Sequence, residues 1–345
     1  MALPEPVPPA ADLPPRGPGW RFWARMLVSA ALLGVLIWNV PDLDGVLPAG
    51  HHRRTIALLA AAAITTLLGV VLSAWRWQRV LAVFERDVPI RALTTHYLAG
   101  LFVGNVLPST IGGDVLRVSR AAATVRSAEV SFASVVLERL TGFVALPLLV
   151  FAGFLGHPEM LDQDAAWVAL VVAGVTLGML AVVLWVAGHP RLAGRFADHE
   201  NWMRFVGAVH LGVDRIRRHP QHVFAILATA LAYQTSVVVS VALVFRALDL
   251  PVPIAGAFAF VPAVAMMQVL PVSFNGLGVR EGMLVLFLRP FGVSSAQAVA
   301  AGLLWFTTTL VVSMLGAPAF AVGNRQRHRR AIADPAPLEN REPSE

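Results

Sequence analysis

Apolar runs long enough to cross a membrane follow one another along this chain, and two of them are broken by nearly the same phrase. The first phrase is Asn105-Val106-Leu107-Pro108, followed by Gly112-Gly113 and Arg117. The second is Gln268-Val269-Leu270-Pro271, followed by Gly276, Gly278 and Arg280. Aligned on the prolines, an amide side chain, Val-Leu-Pro, a glycine and an arginine recur at the same offsets. Freed backbone groups and charges are tolerated at membrane depth only where they line a cavity or are buried in protein. Matching breaks in two parts of a membrane chain therefore point to a binding site between them.

Composition supports the membrane setting. Of 345 residues, 57% are hydrophobic and 14% charged, with a mean hydropathy of +0.67. A soluble domain carries roughly a quarter charged residues. The expected fold class is all-α: a polytopic membrane protein of about eight transmembrane segments, with two broken or re-entrant helices in an inverted-repeat-like arrangement. One membrane domain is expected over 21–323. A Pro/Ala-rich segment over 1–20 and a basic, polar tail over 324–345 are expected to be disordered.

The chain has no cysteine, which excludes disulfides, thiolate chemistry and Cys-based metal sites. Its formal charge of +6 does not indicate nucleic acid, because the arginines gather in short loops and tails between apolar runs. That is the pattern of the positive-inside rule.

Spans are expected at about 22–40, 55–75, 130–155, 166–187, 223–245 and 296–322. Residues 92–107 form an apolar piece too short to cross, and 254–270 and 282–290 form a second broken pair. Trp75 and Trp77 read as interfacial anchors. Arg76, Arg79, Arg86 and Arg91 mark a cytoplasmic loop, as do the six arginines of 188–222. The linker 156–165 carries Glu159, Asp162 and Asp164 without arginine and is expected outside. Trp202, Phe205, Val206, Val209, Val213 and Ile216 recur at helical spacing, as on an amphipathic helix at the cytoplasmic surface. These assignments put both termini in the cytoplasm and the chain in the cytoplasmic (inner) membrane.

Gly112-Gly113 can bring backbone amides close to a ligand, and Asp114 is placed to cap the helix that follows. Arg117, one turn on, carries a planar fork that binds phosphate with two parallel hydrogen bonds. An ordinary loop with a capping Asp and a topology-setting Arg is the plainer reading of this phrase alone. Gly276, Gly278, Arg280 and Glu281 repeat it in apolar surroundings, which favours the functional reading. Glu138 and Arg139 lie inside the apolar run 130–154; neighbours in sequence do not face each other on a helix. Their partners are expected elsewhere, among Arg117, Arg280 and Asp114. His96, on the short apolar piece, reads as a satisfied interior histidine. No Walker loop, zinc-protease motif or nucleophile elbow occurs, so no cofactor, metal site or catalytic residue is expected.

With Val136-Leu137-Glu138-Arg139-Leu140 after the first phrase, and Leu270-Pro271-Val272-Ser273-Phe274-Asn275-Gly276-Leu277-Gly278-Val279-Arg280-Glu281 as the second, the chain resembles the transmembrane domain of lysylphosphatidylglycerol synthases. The resemblance covers about residues 20–322. It implies a flippase-like protein that moves an aminoacylated, glycosylated or otherwise modified lipid between leaflets. The synthases carry a soluble aminoacyl-transfer domain after the membrane part. Here a short tail follows, so lysyl transfer is not expected.

The resulting expectation is a non-enzymatic lipid-binding protein, and a flippase for envelope lipid or glycoconjugate assembly. The head-group site would comprise Asn105, Pro108, Gly112, Gly113, Asp114, Arg117, Glu138, Arg139, Gln268, Pro271, Gly276, Gly278, Arg280 and Glu281. Its partners would be a lipid with an anionic head group and a lipid-modifying enzyme or glycosyltransferase. The competing readings are a membrane-embedded head-group transferase and a non-transporting scaffold of an envelope-assembly complex.

Overall fold

The computed structural model describes residues 27, 52–106, 112–189, 202–269, 273 and 276–321. The expected span at 22–40, the two terminal segments, and Pro108 and Pro271 lie outside the described residues.

Among the described residues ten α-helices follow in order: α1 His52–Val83, α2 Ile90–Val106, α3 Gly112–Val125, α4 Ala128–Gly156, α5 Asp164–Gly188, α6 Trp202–Arg218, α7 Gln221–Ala247, α8 Ile254–Gln268, α9 Val279–Leu288 and α10 Ser295–Met314. A last helical stretch covers 316–321. There is no strand among the described residues. Five of these helices, α1, α4, α5, α7 and α10, are long and apolar enough to cross a membrane. At 17, 14, 15 and 10 residues, α2, α3, α8 and α9 fall short of the ~20 that a crossing needs. The chain is an all-α polytopic membrane protein whose two broken phrases fall between the paired short helices.

Local chemistry sets the helix ends. Ser127 caps α4 by accepting from the Val130 amide at 3.2 Å, with Glu129 beside it in the first turn. Ser294 and Gln297 form a reciprocal capping box at the start of α10. Glu85, Arg126 and Asp249 have φ of 57°, 57° and 51°. Each lies one or two residues past the end of a helix, where left-handed backbone stops the helix and turns the chain.

Small residues set the close approaches, as in membrane bundles generally. α1 and α7 pair along their lengths. The Thr66 and Ser240 hydroxyls lie 2.8 Å apart there, and Ser240 also donates to the Ala62 carbonyl at 2.9 Å. A Cβ on Gly69 would lie 2.7 Å from Ser236 Oγ, so the pair could not close on any larger residue. α4 meets α8 at Gly153, where a Cβ would collide with the Ala259 backbone. Phe260 stacks on Phe287 of α9 at 5.0 Å and meets Phe154 of α4 edge-on at 5.8 Å. α5 exposes Trp167, Val171, Val175, Met179 and Val182 along its outer face, as a lipid-facing helix does.

Two expectations are corrected. Arg76, Arg79 and Arg91 are not loop residues, because α1 runs on to Val83 and α2 already begins at Ile90. Trp77 is not an interfacial anchor: it is fully buried, and its indole N–H donates to Ser134 Oγ at 2.9 Å. The buried stripe of α1, Ser73, Arg76, Trp77 and Val80, runs past Trp75 into the protein core.

Candidate functional site

A cavity of about 360 Å³ lies among the helices and takes lining residues from all of them except α5 and α6. Both broken phrases reach it. Asn105 and Arg117 come from the first, Gln268 and Arg280 from the second, and Glu138 and Arg139 from α4. Tyr97 and Tyr233, the only tyrosines in the chain, line it as well. Leu101, Phe143, Leu146 and Val237 give it an apolar wall.

Its centre is Glu138, which is 1% exposed. Arg117 Nη2 donates to Glu138 Oε2 at 2.9 Å. Arg76 Nη2 donates to Oε1, which also accepts from Ser73 Oγ at 3.1 Å. Both arginines are buried, at 4% and 5% exposure. Burying an isolated charge costs several kcal/mol even after relaxation, so one carboxylate between two guanidiniums leaves a positive excess.

Aromatic rings fix these cations. The Arg117 guanidinium sits 4.5 Å from the Trp77 ring centre and 4.3 Å from that of Tyr97, and Arg76 lies 4.9 Å from Tyr233. Arg76 Nε and Nη1 and Arg117 Nε are buried with no hydrogen-bond partner. Such donors attract an acceptor.

The second phrase builds a separate pair at the same cavity. Arg280 Nε donates to Glu281 Oε1 at 3.0 Å, and both residues are buried. Nη2 lies 2.9 Å from the same oxygen but makes no hydrogen bond, so the Nε contact holds the pair. Glu281 Oε2 accepts from the Gly278 amide at 2.6 Å, tying the carboxylate to the start of α9. Trp305 and Phe306 face the guanidinium at 5.7 and 5.2 Å.

Placement of the glycines differs from the sequence expectation. Gly113 faces the neighbouring helix, where a Cβ would lie 2.5 Å from the Gly100 carbonyl oxygen and 3.4 Å from Gly104 Cα. It lets α2 and α3 approach. Gly276, at φ +75°, lies under the Gln268 side chain, and Gly278, at φ +83°, spends its amide on Glu281. Gly112, Gly113, Asp114, Gly276, Gly278 and Glu281 therefore stand behind the lining. Asp114 is not the helix cap, because α3 already begins at Gly112. It pairs instead with Arg139, and lies 3.5 Å from Arg117.

Glu138 and Arg139 thus find separate partners, as their adjacency requires. His96 is not satisfied: its ring nitrogens are buried without a hydrogen-bond partner, and it does not line the cavity. Arg76 is the charged lining residue that sequence reasoning missed, and the two tyrosines were missed as well. The signal for Arg76 was the helical stripe of buried positions continuing past Trp75. No group of three or more His, Asp or Glu side chains suited to a metal ion occurs among the described residues.

The fold and this cavity define a multi-pass membrane protein with a charged, partly apolar chamber inside its helix bundle. The chain belongs to the family described as the lysylphosphatidylglycerol synthase TM region, whose model matches residues 22–316. This places it among integral membrane proteins of lipid and envelope metabolism. No curated protein and no solved structure matches the chain.

Proposed function

We propose that this protein binds a lipid through an anionic head group and moves it between leaflets. The observation that carries this reading is the pair of buried arginines, Arg76 and Arg117, sharing the single carboxylate of Glu138 in a cavity with an apolar wall. The two guanidiniums and their excess charge suit a phosphate, and the apolar side suits the lipid's glycerol or isoprenoid stem. At about 360 Å³ the cavity lies at the small end of ligand sites. It takes a head group, while the hydrocarbon chains stay in the bilayer.

In this reading α2–α3 and α8–α9 are re-entrant pairs that enter from opposite faces and meet at the cavity. The basic helix end Arg215, Arg217 and Arg218 lies in the cytoplasm together with both termini. The membrane is the cytoplasmic one. A lipid-modifying enzyme or glycosyltransferase supplies or consumes the lipid.

Lipids retained by the protein in mild detergent, identified by mass spectrometry, test binding; reconstitution into vesicles with a leaflet-specific readout tests movement. An anionic lipid that copurifies with wild type and is lost from a folded Arg117→Lys variant is the expected result. Full binding and translocation in that variant would remove the arginine pair from the site.

A further inference from the structure

Charge at the cavity can be followed carboxylate by carboxylate. Among the described residues the buried cations are Arg76, Arg117 and Arg280, and the buried anions are Glu138 and Glu281. Arg139 and Asp114, both partly exposed, pair with each other and cancel. Asp114 also approaches Arg117, but its second oxygen is committed to Arg139. Counted with or without that outer pair, the site carries one uncompensated positive charge.

From this we infer that the site selects a head group of net charge −1, a phosphodiester, and discriminates against dianions and against zwitterions. This rests on the anionic-lipid reading above and narrows it. A phosphodiester returns the buried cluster to neutrality. A phosphomonoester carries close to two negative charges at neutral pH, and a diphosphate carries more. Either leaves a buried negative excess in a cavity that Glu138 already lines. A head group with an added ammonium is neutral overall and leaves the positive excess in place. An unbalanced charge in a low-dielectric site is expensive whichever its sign.

Geometry agrees with the count. Arg117 is clamped between two rings, and Arg280 is held by Glu281. Neither can swing to gather around a second phosphate without breaking an aromatic or carboxylate contact. Arg76 and Arg117 meet at one carboxylate, and a single phosphate group suits the excess charge they share.

The test uses full-length wild-type protein in a neutral detergent at pH 8, with competition for a fluorescent phosphatidylglycerol. The competitors are unlabelled phosphatidylglycerol, phosphatidic acid, a polyprenyl diphosphate, phosphatidylethanolamine, lysylphosphatidylglycerol and soluble glycerophosphoglycerol. Phosphatidylglycerol should compete at least tenfold better than any of the other lipids. The soluble head group should compete far more weakly, which assigns the ligand to the bilayer.

Equal or better competition by phosphatidic acid, the diphosphate, phosphatidylethanolamine or lysylphosphatidylglycerol overturns the charge rule while leaving an anionic-lipid site standing. Failure of every anionic lipid to bind, the labelled one included, sinks both. Glu138→Gln adds one positive charge to the site. If folded by its melting profile, it should shift preference tenfold or more toward phosphatidic acid. An unchanged ranking in that folded variant also overturns the rule, and the wild-type series decides on its own if the variant unfolds.

Discussion

Removing Glu138 and removing Arg76 should have very different costs, although the two residues share one ion pair. Glu138→Gln leaves two buried guanidiniums without their common counter-charge. Breaking a buried pair from one side costs roughly 3–5 kcal/mol, and here two cations are stranded by a single change. Arg76→Met removes the hydrogen bonds to Glu138 and Ser73 but leaves Glu138 paired with Arg117 at 2.9 Å. It also removes the charge that had no carboxylate of its own. The lost charged hydrogen bonds, worth roughly 1.5–3 kcal/mol, are largely offset, and a net loss of about 1 kcal/mol is expected. In Glu138→Gln/Arg76→Met, only Arg117 remains, with Asp114 3.5 Å away. The double variant should therefore be more stable than Glu138→Gln alone, with a coupling of roughly 2 kcal/mol between the sites. Reversible unfolding in mixed detergent micelles measures all four corners of this cycle. Equal losses for the two single variants, or additivity in the double, would refute the idea that one carboxylate serves two arginines.

Other outcomes follow from the same geometry. Gly113→Ala places a methyl against the Gly100 carbonyl and should cost roughly 1–3 kcal/mol through overpacking of α2 on α3, measured in the same unfolding assay. Trp77→Phe deletes the donor to Ser134 and shrinks the ring that faces Arg117, and should lower stability by about 1–3 kcal/mol while weakening lipid retention. Arg280→Lys keeps the charge but loses the Nε donor to Glu281; it should melt near wild type and bind anionic lipid at least tenfold more weakly. Single cysteines at Glu159 and Arg218 should label from opposite sides of the membrane, and same-side labelling would reject the proposed orientation.

Much of the architecture could be read from residue order, because helix length and apolar runs are local properties. The α4 and α5 spans fall within about two residues of their expected ends, and the short helices fall where the broken phrases put them. The partnership of Arg117 with Glu138 was also legible, since a buried carboxylate needs a cation and few stood available. Arg76 was not, because an arginine after a tryptophan looks the same whether a helix stops at the interface or continues inside. Only the periodicity of Ser73, Arg76, Trp77 and Val80 separates the cases, and it concerns which face is covered by other helices. Gly113 was misjudged for a related reason. A glycine that admits a ligand and one that admits a neighbouring helix have the same local sequence, and the deciding partners, Gly100 and Gly104, lie on another element.

The Glu281 carboxylate touches both the Gly278 amide and the Arg280 side chain, and this has a mechanical consequence. With both oxygens engaged, the guanidinium is geared to the first turn of α9 and cannot change rotamer independently of it. A tilt or slide of that short helix would carry the charge bodily across the cavity wall, while Arg76 and Arg117 stay anchored to α4 through Glu138. The chamber then has a fixed jaw and a movable one.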